Sequence, residues 1–456
     1  MENVKTYAWR MVLTGAVLHF LVDGLCLCCL WLLASSWRLT DTAEICMFVT
    51  YNVMAFLTQP LTGAWADRMR QKHWMLLGAM VLLTAAVACT SLVAGTGLLD
   101  DCQSSIVNCQ QSITSTIITI LLGSGNSLFH VWGGKQTALK TGNDIRALGV
   151  FVSTGVMGLA VSSMLYSWGL LFGFLLAFCI LAALTGRFDA EEVCAGDEEE
   201  RKAKVGERVT WWTVVCMAVL MGVVMLRSYM GESMQMGTEK CCSGIDSVEL
   251  KVLLVGAAAM LGKMMGGWLV RGMGMVKAIA AVVVITMVCL WGRNWNRDTM
   301  LAGLWAVNCT MPMTLYLANK VLKGREGLAF GWLAAALMPG YLMATSSEGE
   351  MLRLLMTALV PTVLIEGGVL WMLGERRKKV LGASVVVNVL TNVPLNLWVL
   401  CVDGSSVSIL TGEFLVVMIE TMWYFMFVKR LKVAFIYSLL CNAISFLTGL
   451  FIQWML

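Results

Sequence analysis

The sequence predicts an all-α membrane protein: two six-helix bundles, twelve membrane helices in all, followed by about three more helices at the C-terminal end. Three observations predict it. Of the 456 residues 58% are hydrophobic and only 14% charged, with a mean hydropathy of +0.76, whereas a soluble domain is about one-quarter charged. Apolar runs of about 20 residues, the thickness of a bilayer core, recur from Met11 onward. An acidic and then basic stretch, Phe188–Arg208, divides them, and it is too polar to enter hydrocarbon.

The first run, Met11–Leu33, exceeds a signal-peptide core, carries Asp23 and is followed by many more runs, so it reads as a membrane helix. Further spans start near Ala43, Trp74, Ser112, Ile145 and Tyr166, which completes the first bundle over residues 1–187. Residues 188–208 form a cytoplasmic linker. The second bundle, 209–374, has spans starting near Val209, Val248, Val276, Thr299, Glu326 and Leu354. Residues 375–456 hold three more runs, Val380–Val402, Ser406–Val428 and Val433–Leu456.

Charge distribution fixes an orientation. Basic clusters at Asp67–His73, Lys135–Arg146, Arg201–Arg208, Arg271–Lys277, Lys320–Arg325, Arg376–Lys379 and Lys429–Lys432 all fall on one side if the spans alternate. Basic loops are retained in the cytoplasm, so the N-terminus is expected to be cytoplasmic and the protein multi-pass in the inner membrane. A net charge of +4 is too small to suggest nucleic acid as a partner.

The halves echo one another. Gly63-Ala64-Trp65-Ala66-Asp67 closes the second span as Gly267-Trp268-Leu269-Val270-Arg271 closes the eighth, and Asn126 with Gly142 matches Asn308 with Gly324. Two related six-helix halves would place a solute site at their interface, near the bilayer midplane. Most of the 16 cysteines lie in apolar spans as small hydrophobes, Cys26, Cys28 and Cys29 among them. Cys102 and Cys109 flank a polar outer loop, where a disulfide is one possibility, and Cys241–Cys242 read as ordinary loop cysteines.

Ionisable side chains inside spans are costly and default to functional candidates. His19 and Asp23 stand i, i+4 on the first span, and Asn126 and His130 stand i, i+4 on the fourth. A histidine–carboxylate set can exchange protons near neutral pH. The alternative is a hydrogen-bonded cluster that only holds the bundle together. Arg227, near the outer end of the seventh span, either meets an anionic solute group or Asp23, or snorkels to the interface. Glu366, late in the twelfth span, is open in the same way. In the last three runs Asn388, Asn392 and Asn396 form a stripe, and Glu413 and Glu420 lie seven apart. Such groups bind membrane helices together, and the two glutamates also suit a proton or cation path.

Gly63-Ala64-Trp65-Ala66-Asp67-Arg68 resembles the loop motif between the second and third helices of the major facilitator superfamily. The resemblance implies a cytoplasmic gate in which Gly63, Asp67 and Arg68 take part, Asp67 and Arg68 by capping helix ends and by charge pairing. Arg70 and Gln71 depart from that motif, and Arg271 replaces the aspartate in the second copy. Within the superfamily, the His19–Asp23 spacing, Gln59-Pro60-Leu61-Thr62-Gly63 and Gly123-Ser124-Gly125-Asn126-Ser127-Leu128-Phe129-His130 are similar to fosmidomycin-resistance-type exporters, with Val131 where a proline is usual. The resemblance covers Met11–Leu373. It implies a secondary transporter, with proton-coupled export of a small organic solute as the leading expectation. Uptake on the same fold and a non-transporting sensor or assembly protein are the alternatives.

Expected partners are the solute, protons and the lipid bilayer, with the chain a monomer. No phosphate-cradling loop, His-Glu-x-x-His helix or Gly-x-Ser-x-Gly elbow occurs in the chain. No enzymatic role, cofactor or metal is therefore expected.

Overall fold

The structure is a computed structural model, and it describes residues 2–37, 41–69, 73–95, 105–188, 211–241, 247–291, 297–345, 362–363, 365–401 and 405–455. Among these residues all regular structure is helical. In a bilayer the helix satisfies every backbone N–H and C=O within its own segment. Eleven stretches of the described residues are long and apolar enough to cross a membrane. They begin at Ala8, Ala43, His73, Ile145, Trp168, Trp212, Val248, Asp298, Glu326, Val407 and Leu431, close to the starts expected from the sequence.

The remaining expected spans have identifiable causes. The fourth lies in a helix, Ser105–Lys140, made too polar for that count by Asn126, His130, Lys135 and Gln136. The ninth, Met275–Cys289, is shorter. The twelfth lies partly outside the described residues, and the thirteenth is the helix Lys378–Cys401. The linker 189–208, Cys102 and Cys242 also lie outside the described residues, as do the side chains of Cys109 and Cys241.

The chain divides into two compact units, Met1–Arg38 with Tyr51–Thr345, and Leu39–Thr50 with Ser346–Leu456. In chain order we number α1 Glu2–Trp37, α2 Asp41–Asn52 (whose residues up to Thr50 belong to the second unit), α3 Gln59–Arg68, α4 His73–Gly95, α5 Ser105–Lys140, α6 Ile145–Ser153, α7 Gly155–Leu165 and α8 Trp168–Phe188. After the linker follow α9 Trp211–Cys241, α10 Val248–Met273, α11 Met275–Trp291, α12 Arg297–Val321, α13 Glu326–Ala335 and α14 Leu337–Thr345.

The packing of the first unit repeats across its halves. α1 packs on α7 and α5, as α9 packs on α14 and α12; α4 packs on α5, as α11 packs on α12. α3 crosses to the second half and packs on α13, while α10 crosses to the first and packs on α6. The irregularities repeat as well. The fifth span breaks at Thr154 between α6 and α7, and the eleventh breaks at Ala336 between α13 and α14. Beside each break a backbone carbonyl meets a side chain of another helix, Phe151 O with His19 Nδ1 and Leu337 O with Ser228 Oγ.

The second unit contains α15 Lys378–Cys401, α16 Ser406–Val428 and α17 Leu431–Met455, together with helical residues 365–372. Its core joins Leu370, Val380, Val387, Tyr424, Ala434 and Cys441. Trp423 Nε1 donates to Ala383 O at 2.9 Å and the Tyr424 hydroxyl meets Ser384 Oγ at 3.0 Å, so both aromatic rings are buried with their polar ends satisfied.

Candidate functional site

Helical spacing brings His19 and Asp23 to one face of α1, one turn apart, and the same spacing on α5 aligns Asn126 with His130. The two pairs meet in the bundle. His130 Nε2 lies 2.9 Å from Asp23 Oδ1, Asn126 Nδ2 donates to the same oxygen at 3.2 Å, and His19 Nε2 lies 3.1 Å from Asp23 Oδ2. All four side chains are buried. The imidazoles of His19 and His130 meet edge to face, with ring centroids 4.5 Å apart.

α6 and α7 complete the enclosure. His19 Nδ1 lies 2.7 Å from Phe151 O, beside the break at Thr154. The Thr154 hydroxyl donates to Ala16 O and Ser162 Oγ to Gly24 O, which holds α7 tightly against α1. At Gly155 a Cβ would fall on Asp23 Oδ2 and His19 Nε2. We therefore expect Gly155→Ala to push His19 and Asp23 apart and abolish transport. Membrane abundance checks that the protein still folds, and transport at the wild-type level would show that the pair need not touch.

The hydrogen-bond directions fix a proton count. A carbonyl only accepts, so His19 Nδ1 carries hydrogen toward Phe151 O. An ionised carboxylate also only accepts, so the His19 Nε2–Asp23 Oδ2 contact needs one more proton, on either the imidazole or the carboxyl. The cluster thus holds one proton beyond the neutral complement of His19. Nε2 of both histidines and a carboxylate oxygen of Asp23 lie within 4.8 Å of one another, a spacing that would also admit a metal ion. Lys263 of α10 stands within electrostatic range of Asp23 and His130. Its positive charge opposes a divalent cation there about twice as strongly as a single proton.

Arg227 lies in the middle of α9 and is only 7% exposed, with Nη1 buried and without a hydrogen-bond partner. It does not pair with Asp23, whose partners are His19, His130 and Asn126. Lys263, which the sequence reading passed over, lies within electrostatic range of Arg227. Its signal in the sequence is a single lysine in the middle of a run from Val252 to Val270.

At another level of the same unit, Asp67 closes the two halves on each other. Its Oδ1 accepts from Gly327 N at 3.0 Å and its Oδ2 from Leu328 N at 2.8 Å, which caps the N-terminus of α13 from across the bundle. Gly63 and Gly327 approach so closely that a Cβ on either would strike the other's backbone carbonyl. The cation on Asp67 is Lys135, whose Nζ lies 3.0 Å from Oδ1 and also donates to Ala66 O at 2.6 Å, with both charged side chains only 4% exposed. Arg68, for which the sequence suggested charge pairing, is exposed.

The second copy of the motif makes the equivalent crossing with other chemistry. A Cβ on Gly267 would meet the backbone of Ile145 and Arg146 at the start of α6. Asp144 caps that helix itself, accepting from Arg146 N at 2.9 Å, and Arg271 lies within electrostatic range of it. Asn308, the counterpart of Asn126, donates only to Leu304 O in its own helix. The buried His–Asp cluster therefore belongs to one half alone.

In the second unit, Glu366 and Glu420 are fully buried. Asn388 Nδ2 donates to Glu366 Oε2 at 2.7 Å, and Asn392 Nδ2 donates to Asn388 Oδ1 at 2.9 Å. Glu420 accepts from Thr391 Oγ1 at 3.1 Å, from Ser438 Oγ at 3.2 Å and from Asn442 Nδ2. The asparagine stripe thus serves the glutamates, while Glu413 is half-buried two turns before Glu420.

No protein-family profile matches the chain, and no curated protein aligns with it. Among solved structures it is similar to the E. coli fucose:proton symporter, at 10% identity over 85% of this chain and 97% of that one, with a TM-score of 0.49. It is also similar to a bacterial homologue of the iron transporter ferroportin in an outward-facing state, at 12% identity over 96% and 98%, with a TM-score of 0.43.

Proposed function

We propose that the chain is a major-facilitator-type secondary transporter, closest to the fosmidomycin-resistance-type exporters, that expels a small organic solute in exchange for protons. In this reading it works as a monomer in the inner membrane. The two six-helix halves span 1–187 and 209–374, with the linker on the cytoplasmic side and the 375–456 module appended. The observation that carries the reading is the 3.1 Å contact between His19 Nε2 and Asp23 Oδ2, which requires a proton that the cluster can exchange. A buried cluster that gains or loses this proton changes its charge where no water compensates, so the change biases one bundle conformation against the other.

Asp67 supports the same reading from the opposite direction. It ties α3 of one half to α13 of the other through groups that must separate if that side is to open. A structural cluster would need no such release. The test is a proteoliposome assay with a pH-sensitive dye in the lumen, an imposed pH gradient and a panel of small organic solutes. Solute-dependent proton movement is the expected result. Solute movement with no proton flux would leave a facilitator, and no movement of either would leave a sensor.

Glu413 and Glu420 hold the helices of the C-terminal module together in the favoured reading, with a secondary proton or cation path as the alternative. If they line such a path, changing both to Gln abolishes proton flux without loss of protein from the membrane. Unchanged flux would reduce them, with Asn392, to groups that hold helices together.

A further inference from the structure

We propose that Arg227 and Lys263 form the binding site for a carboxylate, and hence that the solute is a small organic monoanion. Three observations converge on it. Arg227 is more than nine-tenths buried and its Nη1 makes no hydrogen bond, although a guanidinium offers five donors in a fixed fork. Lys263, half-buried on the facing helix α10, stands within electrostatic range of it, so two like charges share one region. Neither makes an ion pair among the described residues, and Glu232, five residues on in α9, is set beside Tyr341 instead. A buried charge without a partner is strongly destabilising. Arg227 is such a charge and the half-buried Lys263 adds a second positive charge to it, so the site on these second-half helices is complete only when an anion enters.

Charge balance selects the class of anion. Arg227 and Lys263 contribute two positive charges, and the Asp23 carboxylate, also within range of Lys263, contributes one negative charge. The remainder is a single positive charge once the cluster has released its exchangeable proton. One carboxylate cancels it, whereas a phosphate dianion would overshoot. Carboxylate geometry also suits the unpartnered edge of a guanidinium. Because Lys263 senses both Arg227 and the His19–Asp23–His130 cluster, an anion beside it changes the charge that the cluster feels, which links solute and proton in one electrostatic field.

The identification of this anion as cargo rests on the transport reading above, but its binding can be measured without any gradient. The detergent-purified protein is melted in the presence of monocarboxylates from acetate to benzoate, each paired with its uncharged amide, and of inorganic phosphate. At least one carboxylate should raise the melting temperature while its amide does not. Arg227→Gln and Lys263→Gln should each weaken that carboxylate about tenfold or more, the loss of a hydrogen bond to a charged group. Arg227→Lys, which keeps the charge, should retain part of the affinity and checks that the site still folds. Binding is read in detergent with no gradient imposed, so failure of coupling and failure of this site are distinguishable. The proposal is overturned if no carboxylate stabilises the protein, if amides do so equally, if phosphate exceeds every carboxylate, or if both glutamine variants bind as the wild type does.

Discussion

Asp23→Asn should reduce gradient-driven transport to the level of empty vesicles while solute exchange without a gradient continues. The substitution keeps the shape of the side chain and the hydrogen bonds at one oxygen. It removes the acceptor that shares a proton with His19 Nε2. Asn offers an N–H to His19 instead, which satisfies a neutral imidazole with no further proton needed. The cluster then has nothing to exchange, whereas the alternation of the bundle and the solute site are left in place. Exchange needs no net proton movement and should survive. His130→Ala acts on the other oxygen of Asp23, 2.9 Å away, and should weaken coupling without emptying the membrane of protein. Because Asp23 also touches α5, membrane abundance and melting of each variant must be read alongside flux. Full gradient-driven transport by the Asp23→Asn protein would remove the coupling role and leave the cluster as a packing feature.

The i, i+4 spacings made each half of this cluster legible, because helix geometry alone sets His19 over Asp23 and Asn126 over His130. The meeting of the two pairs was only suggested, since the rotation of a membrane helix is set by its neighbours. Phe151 could not be read at all: its part is played by a backbone carbonyl next to a break at Thr154, where neither proline nor a polar run marks an interruption. Lys135 was hidden for a different reason. It belongs to a basic cluster that reads as a loop, yet α5 continues to Lys140 and carries the ammonium inward to Asp67. Lys263 was hidden by its surroundings, an apolar run in which one lysine is easily taken to snorkel. In each case the missing information was which way a helix face turns, and that comes from packing.

Substitutions at the Asp67 closure should fall in a definite order, with Asp67→Asn far the most severe, Lys135→Gln intermediate and Arg68→Gln without effect. Asp67→Asn leaves Lys135 as an unpaired charge in a site only 4% exposed. It also presents an N–H to one of the Gly327 and Leu328 amides, both of which need acceptors. Losing one partner of a buried ion pair costs about 3–5 kcal/mol, enough to shift a two-state equilibrium by about a hundredfold or more. Lys135→Gln removes the cation but leaves the carboxylate capping α13, where two N–H groups and the positive helix end still hold it. Arg68 is exposed, and an exposed charge contributes little. Hydrogen exchange at the Gly327 and Leu328 amides reads the closure directly, since both donate to Asp67. Faster exchange in the order given, with transport falling in the same order, is the expected result. Equal effects at Arg68 and Lys135 would show that the closure works through surface charge rather than through the buried pair.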